Sequence, residues 1–318
     1  MSFAQIIKNQ DFFKNLMEKK EKNTLSSAIL FFCEDDLTSK KTLVLAALML
    51  QYKMFELFDE KSAEFLKIEN GVELDTKVYP KNGEKMLVAD SNDIVSEVYV
   101  KPVNMPNKIF VINNLDVSTE EAQNKLLKVL EEPPKNVFFL ISASNETRVL
   151  PTIRSRCDKI KINPLSQEEI RGVCSDELAC ILGKGYIGRT LFLSRYAGLK
   201  EASDFAVSVL TELKSSKDVL KFSKTFVEKK DDLKLILEIV SVCIEDMIKL
   251  KCESEALCKL KPYLNELKDV EAEFSVEALC EISKLVLRFR EKLEFNANFA
   301  VSIDNFLMKM LEVKYLCK

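Results

Sequence analysis

The chain has 318 residues, 47% hydrophobic and 31% charged, long and apolar enough for two or three domains, each with its own buried core. Its 47 basic and 50 acidic residues leave a net charge of -3, which excludes an overall positive field drawing the chain to nucleic acid. It has no histidine, and that removes histidine-based triads, histidine metal sites and histidine acid–base chemistry in one step.

The N-terminal stretch Met1–Lys22 is amphipathic and charged rather than signal-like, and no apolar run anywhere reaches the roughly 18 to 20 residues of a membrane helix. A cytoplasmic protein with no membrane partner is expected. Nine cysteines form no C-x-x-C pair, so they read as reduced, mostly buried small hydrophobes rather than metal ligands. All seven glycines lie at or before Gly198, and only Pro262 of the eight prolines follows Pro164. The first half therefore reads as mixed and loop-rich, the second as nearly all helical.

In chain order, the short apolar run Ala28–Phe32 predicts a buried strand, followed by a helix from about Lys40 to Tyr52. Two further runs, Lys108–Ile112 and Val137–Ile141, flank a helical stretch over 119–130. Buried runs alternating with helices predict a mostly parallel sheet covered on both faces. After Pro164, Ser166 with Glu169 three residues on forms a capping-box signature that opens a small helical segment reaching about Tyr196. From Ala202 the spacing is helical, with Leu233, Ile236, Leu237, Val240, Ile244, Met247 and Ile248 recurring mostly at three and four residues.

The segment Lys108–Cys157 carries three pieces in order: a strand ending before Asn113-Asn114, the block Leu126-Leu127-Lys128-Val129-Leu130-Glu131-Glu132-Pro133-Pro134, and Pro151-Thr152-Ile153-Arg154-Ser155-Arg156-Cys157. Together they resemble the second half of the ATPase module in bacterial clamp-loader subunits of the AAA+ family. Leu25–Ala28, Lys101-Pro102 and Asn296-Ala297-Asn298 extend the likeness outward. The resemblance implies an α/β plus all-α chain: a RecA-like AAA+ domain with a parallel sheet over 1–164, a small helical lid over 165–200 and a helical collar for oligomerisation over 201–318.

A phosphate-binding loop needs glycines that let backbone N–H groups converge, with a lysine and a hydroxyl behind them. Here the corresponding loop runs from Cys33 to Thr42. Counted from the strand, Cys33 and Asp36 take the glycine places; counted from the helix, Ser39 takes one, with Lys40, Lys41 and Thr42 following. Glu34, Asp35 and Asp36 set three carboxylates where a triphosphate would lie, and like charges oppose its binding. Where similar ATPases carry an acidic pair after the central strand, this chain has Asn113 and Asn114, which lack the charge a hard cation requires. Asp116, two residues on, reads as solvent-facing or capping. In the lid the slot of a phosphate-sensing arginine holds Gly188, with Arg189 displaced by one residue, about 100 degrees around a helix.

Within the resemblance, Ser155-Arg156-Cys157 is the motif whose arginine reaches the nucleotide of a neighbouring protomer. An arginine supplied in trans stabilises transition-state charge with a planar, permanently charged fork. Arg154 is the lesser candidate and the local alternative for Arg156 is an ion pair with a nearby carboxylate. The implied function is that of a non-hydrolysing delta-prime-like subunit in a pentameric ring with tau/gamma and delta subunits, which loads a sliding clamp onto primer-template DNA. No ATP hydrolysis, magnesium or zinc is expected of the chain itself, the four-cysteine module of many relatives being absent between Cys33 and Cys157. Two alternatives stand beside it: an active clamp-loader ATPase with an unorthodox loop, and an AAA-like scaffold outside replication.

Overall fold

A computed structural model describes residues 2–81, 85–293 and 299–316; Asn296-Ala297-Asn298 lies outside them. In chain order the elements are α1 (Phe3–Asn9), α2 (Asp11–Glu21), β1 (Ala28–Phe32), α3 (Asp36–Gln51), α4 (Ala63–Glu69), β2 (Thr76–Tyr79), α5 (Val88–Glu97), β3 (Lys108–Ile112), α6 (Glu120–Glu131), β4 (Val137–Ala143), α7 (Pro151–Arg154) and β5 (Asp158–Lys161). Then come α8 (Gln167–Arg171), α9 (Glu177–Leu182), α10 (Ile187–Arg195), α11 (Leu199–Thr211), α12 (Ser216–Glu228), α13 (Leu233–Lys251), α14 (Leu264–Glu271), α15 (Val276–Leu293) and α16 (Phe299–Leu316).

The strands form one five-stranded sheet in the order β2-β3-β4-β1-β5, and every pairing is parallel. The three central strands are apolar on both faces because helices cover both. Leu30, Phe110, Ile112, Phe139 and Ile141 share a buried cluster with Ile94 of α5 and Leu126 and Val129 of α6, while α3 packs against β3 and β4. Phe110 and Phe139 are register partners, and their rings stack at 5.4 Å. An offset aromatic pair of this kind adds about 0.5–1.5 kcal/mol beyond the area it buries.

The two edge strands are shorter and more polar than the periodicity of a buried run, which is why Thr76–Tyr79 and Asp158–Lys161 are not legible as strands from apolar content alone. Just before β2, the carboxylate of Asp75 accepts hydrogen bonds from the backbone N–H groups of Val103 (2.8 Å), Asn104 (2.7 Å) and Met105 (2.9 Å). This clips the loop that enters β3 to the edge of the sheet.

The described residues divide into two compact units, one of 1–175 with 183–192, the other of 176–182 with 193–318. The expected lid over 165–200 does not separate as a third unit in this division; its residues are shared between the two. In the second unit α13 is the central helix: α11, α14 and α15 all pack against it. Of its predicted stripe, Leu233, Ile236, Leu237, Val240, Ile244 and Met247 are buried and Ile248 is half-buried. Asp246, fully buried on the same helix, accepts from the backbone N–H groups of Lys259 (2.8 Å) and Leu260 (2.7 Å) and fixes the returning loop.

Burial alone would raise the Asp75 carboxyl, but the three backbone donors and nearby Lys108 hold it below the ordinary carboxylate range. Its contribution is therefore complete above the unfolded value of about 3.9 and is lost as pH falls through the folded value. Asp75→Ala should lower the unfolding free energy by about 1–3 kcal/mol at neutral pH, since three hydrogen bonds to a charged acceptor are lost. In urea titrations the gap to the parent chain should narrow as the pH drops below 4; a gap that widens there contradicts the assignment.

Candidate functional site

The ends of β1, β3 and β4 open on one side of the sheet, where the candidate site lies. Only Cys33, Glu34 and Asp35 separate β1 from α3. The helix therefore starts at Asp36, four residues before the predicted Lys40, and Ser39 to Thr42 are helical rather than part of a loop. Asp35 is the reason: its carboxylate accepts from the Thr38 N–H at 2.7 Å and caps the helix from inside. A first-turn N–H that a phosphate-binding helix would offer to its ligand is already bonded.

The hydroxyls behind it turn inward as well. Ser39 Oγ donates to the Asp36 carbonyl at 3.0 Å and Thr42 Oγ1 to the Thr38 carbonyl at 2.7 Å, both side chains being buried. Lys41 lies over the ring of Phe3, 5.7 Å from its centre, and Lys40 is exposed. Cys33 is buried, and burial pushes its thiol up to about 12.

Two of the three carboxylates expected to repel a triphosphate have a hydrogen-bond partner. Glu34 lies beside Tyr186, whose pKa is pushed up to about 12 by burial and then by the neighbouring carboxylates. Asp35 is the cap. Asp36 accepts from Asn114 Nδ2 at 3.0 Å, and burial raises its carboxyl above the ordinary value. Asn114 adopts left-handed backbone geometry with φ 53°, which an asparagine tolerates, and its N–H donates to Ser142 Oγ.

Asn113 points into the sheet instead. Its Nδ2 donates to the Tyr79 carbonyl at 3.2 Å, while its buried Oδ1 has no hydrogen-bond partner among the described residues. Asp116 is not solvent-facing: it is buried and accepts from the Ser144 N–H (3.1 Å), the Ser144 hydroxyl (2.8 Å) and the Asn145 N–H (3.0 Å). It ties the turn after β3 to the turn after β4, because two backbone donors there need an acceptor.

Gly188, at the second position of α10, closes the site from above. Its N–H donates to Thr38 Oγ1 at 2.9 Å, and a Cβ built on it would stand 2.5 Å from the Thr38 nitrogen and 2.7 Å from the Leu37 carbonyl carbon. Only glycine permits so close an approach of backbone to backbone. Arg189 is half-buried. Beside this seam, Phe32, Cys33, Glu34, Ser144, Glu146, Lys159, Lys161, Ile162 and Tyr186 line a cleft of about 370 Å³.

The Ser155-Arg156-Cys157 motif stands apart from this cluster, just after α7. Ser155 is exposed, and its hydroxyl donates to the Thr152 carbonyl; burial pushes the Cys157 thiol up to about 12. Arg156 keeps 29% of its side-chain surface and donates from Nη1 to the Thr152 carbonyl at 2.9 Å and from Nη2 to Glu131 Oε2 at 3.1 Å. Arg154 pairs with Glu146 at 3.4 Å. The Arg156–Glu131 contact joins two of the three recognition blocks, which no local pattern in the sequence announces. Among the described residues no three His, Cys, Asp or Glu side chains gather as a metal cluster.

The sheet with its helical second unit is the fold of a clamp-loader subunit: a DNA polymerase III gamma-subunit-related protein of Thermotoga maritima matches 94% of this chain and 99% of its own length, at a TM-score of 0.52 and 17% identity. Residues 8–166 match the family described as DNA polymerase III, delta subunit, and residues 200–310 its C-terminal counterpart. The chain belongs to this family of DNA polymerase III clamp-loader subunits. Subunit delta' of Bacillus subtilis is similar over its length, 22% identical across 94% of this chain and 95% of that one. Higher identity but shorter reach mark the gamma subunit of Buchnera aphidicola (32% over 33% of this chain) and the tau subunit of Escherichia coli (33% over 26%). The chain spans only 28% and 13% of those two proteins.

Replacing Gly188 with alanine should force Thr38 and Gly188 apart and cost about 1–3 kcal/mol, the usual penalty of overpacking. Denaturant unfolding of the full chain measures it, and an unchanged midpoint would contradict the seam.

Proposed function

We propose that the chain is a non-hydrolysing, delta-prime-like clamp-loader subunit that supplies Arg156 in trans to the ATP site of a neighbouring tau/gamma subunit. The observation that carries the first half is the Asp35 cap together with the Gly188–Thr38 seam: a first-turn N–H of α3 and the Thr38 hydroxyl are taken by protein groups where a nucleotide would need them open. Asn114 bound to Asp36 adds to this, since a carboxylate and a neutral amide sit where a metal and its phosphates would require anionic ligands and cationic donors. The residues present do not fit a triphosphate with its magnesium, and no chemical step is assigned to them.

The second half is supported by the position of Arg156 near the surface on a short, well-anchored segment. Pro151 opens α7 and buried Ile153 pins it, so the turn that carries Arg156 starts from a fixed helix. In the assembled ring this charge offsets the negative charge that builds on the transferred phosphoryl group. The chain itself serves as a reference body against which the ATP-driven subunits and delta move. Its partners are those subunits and, through the assembly, the sliding clamp and primer-template DNA, in the cytoplasm.

Isothermal titration of the isolated chain with ATP and magnesium should give no tight binding; tight magnesium-dependent binding would restore the active-ATPase alternative. In a complex reconstituted with tau/gamma and delta, Arg156→Ala should reduce hydrolysis at the neighbouring site on the order of 10^3-fold, so that total DNA-stimulated ATPase falls to what the other sites carry. An unchanged rate in a fully assembled complex removes the trans role, and failure of the chain to co-purify with those subunits favours a scaffold outside replication.

A further inference from the structure

The partner of Arg156 within its own chain bears directly on how that arginine is delivered. Glu131 is the last residue of α6, whose Leu126, Val129 and Leu130 are buried in the core. It is thus set on a fixed element, while its own side chain is 58% exposed. Arg156 is engaged at both terminal nitrogens, by Glu131 and by the Thr152 carbonyl, yet its Nε is buried without a partner among the described residues. A guanidinium in its final place satisfies its donors; this one is held at two corners and left short at the third.

A carboxylate and a phosphoryl group compete for the same fork of N–H donors. The Nη2 N–H that Glu131 holds is not open to a phosphoryl oxygen until the carboxylate gives it up. We infer that Glu131 is a positioning residue that parks Arg156 in cis, so that engagement of a neighbour's nucleotide proceeds by exchange of the Glu131 carboxylate for phosphoryl oxygens. The pair is partly solvated, and such pairs shift populations by only about two- to fivefold. That weight suits a latch: it lowers the resting fraction of free arginine without preventing transfer to a doubly or triply charged acceptor. The C-terminal end of α6 adds to the hold, since a cation is favoured at that end of a helix dipole.

The inference rests on the proposed trans role, and the test separates the two. Complexes of tau/gamma, delta and the full chain are prepared with the parent sequence, Glu131→Gln, Arg156→Ala and the double substitution, and DNA-stimulated ATPase is measured at equal, verified assembly. Glutamine keeps the shape of the side chain and removes its charge. The expected result is a rise of about two- to fivefold for E131Q, absent when Arg156 is alanine. If E131Q equals the parent while R156A is impaired, the latch is wrong and the trans arginine stands. A fall for E131Q overturns the latch by making Glu131 an aid to catalysis instead. If R156A changes nothing, both fall together. Thermal unfolding of E131Q, expected to match the parent, keeps a folding defect from imitating any of these results.

Discussion

The Asp35 carboxylate on the Thr38 N–H is the contact on which the candidate site depends. It starts α3 directly after a three-residue turn, and an early start leaves no room for the wide, glycine-lined loop that wraps a phosphate. Everything nearby follows. Thr38 faces Gly188, Asp36 meets Asn114, and two of the three acids that look repulsive on paper become acceptors for the protein's own donors. Asp35 and Asp36 thus act on their own fold as hydrogen-bond acceptors and not only as a field.

The recognition blocks of the sequence lead to both ends of the functional question, but they do so through different physics. At Gly188 the constraint is steric, since no side chain fits between two backbones in contact. At Arg156 it is electrostatic, and its neighbour Glu131 comes from another of the blocks that carry the resemblance. Family membership and fold are firm from residues 8–166 and 200–310, whereas the trans role is a reading of chemistry that those matches do not carry.

How much was legible follows from what each signal rests on. The central strands β1, β3 and β4 are continuous apolar runs, and the long helices have clean periodicity, so both are visible in a single sequence. β2 and β5 are not, because an edge strand needs only one buried neighbour and carries polar residues that break the pattern. The start of α3 could have been found: Asp35 followed by a second acid in the first turn is an N-cap signal, masked by the expectation of a phosphate loop. Asp75, Asp116 and Asp246 could not, because each acts by collecting backbone N–H groups from a distant turn. Nothing local records where that turn will arrive.

The polar character of β5 has one more outcome. As the outermost strand beside β1 it reads Asp158-Lys159-Ile160-Lys161, so its open rim carries charge of both signs in place of an apolar ladder. Such a fringe discourages a stray strand from zipping onto the sheet. Here that inert border is written in four residues.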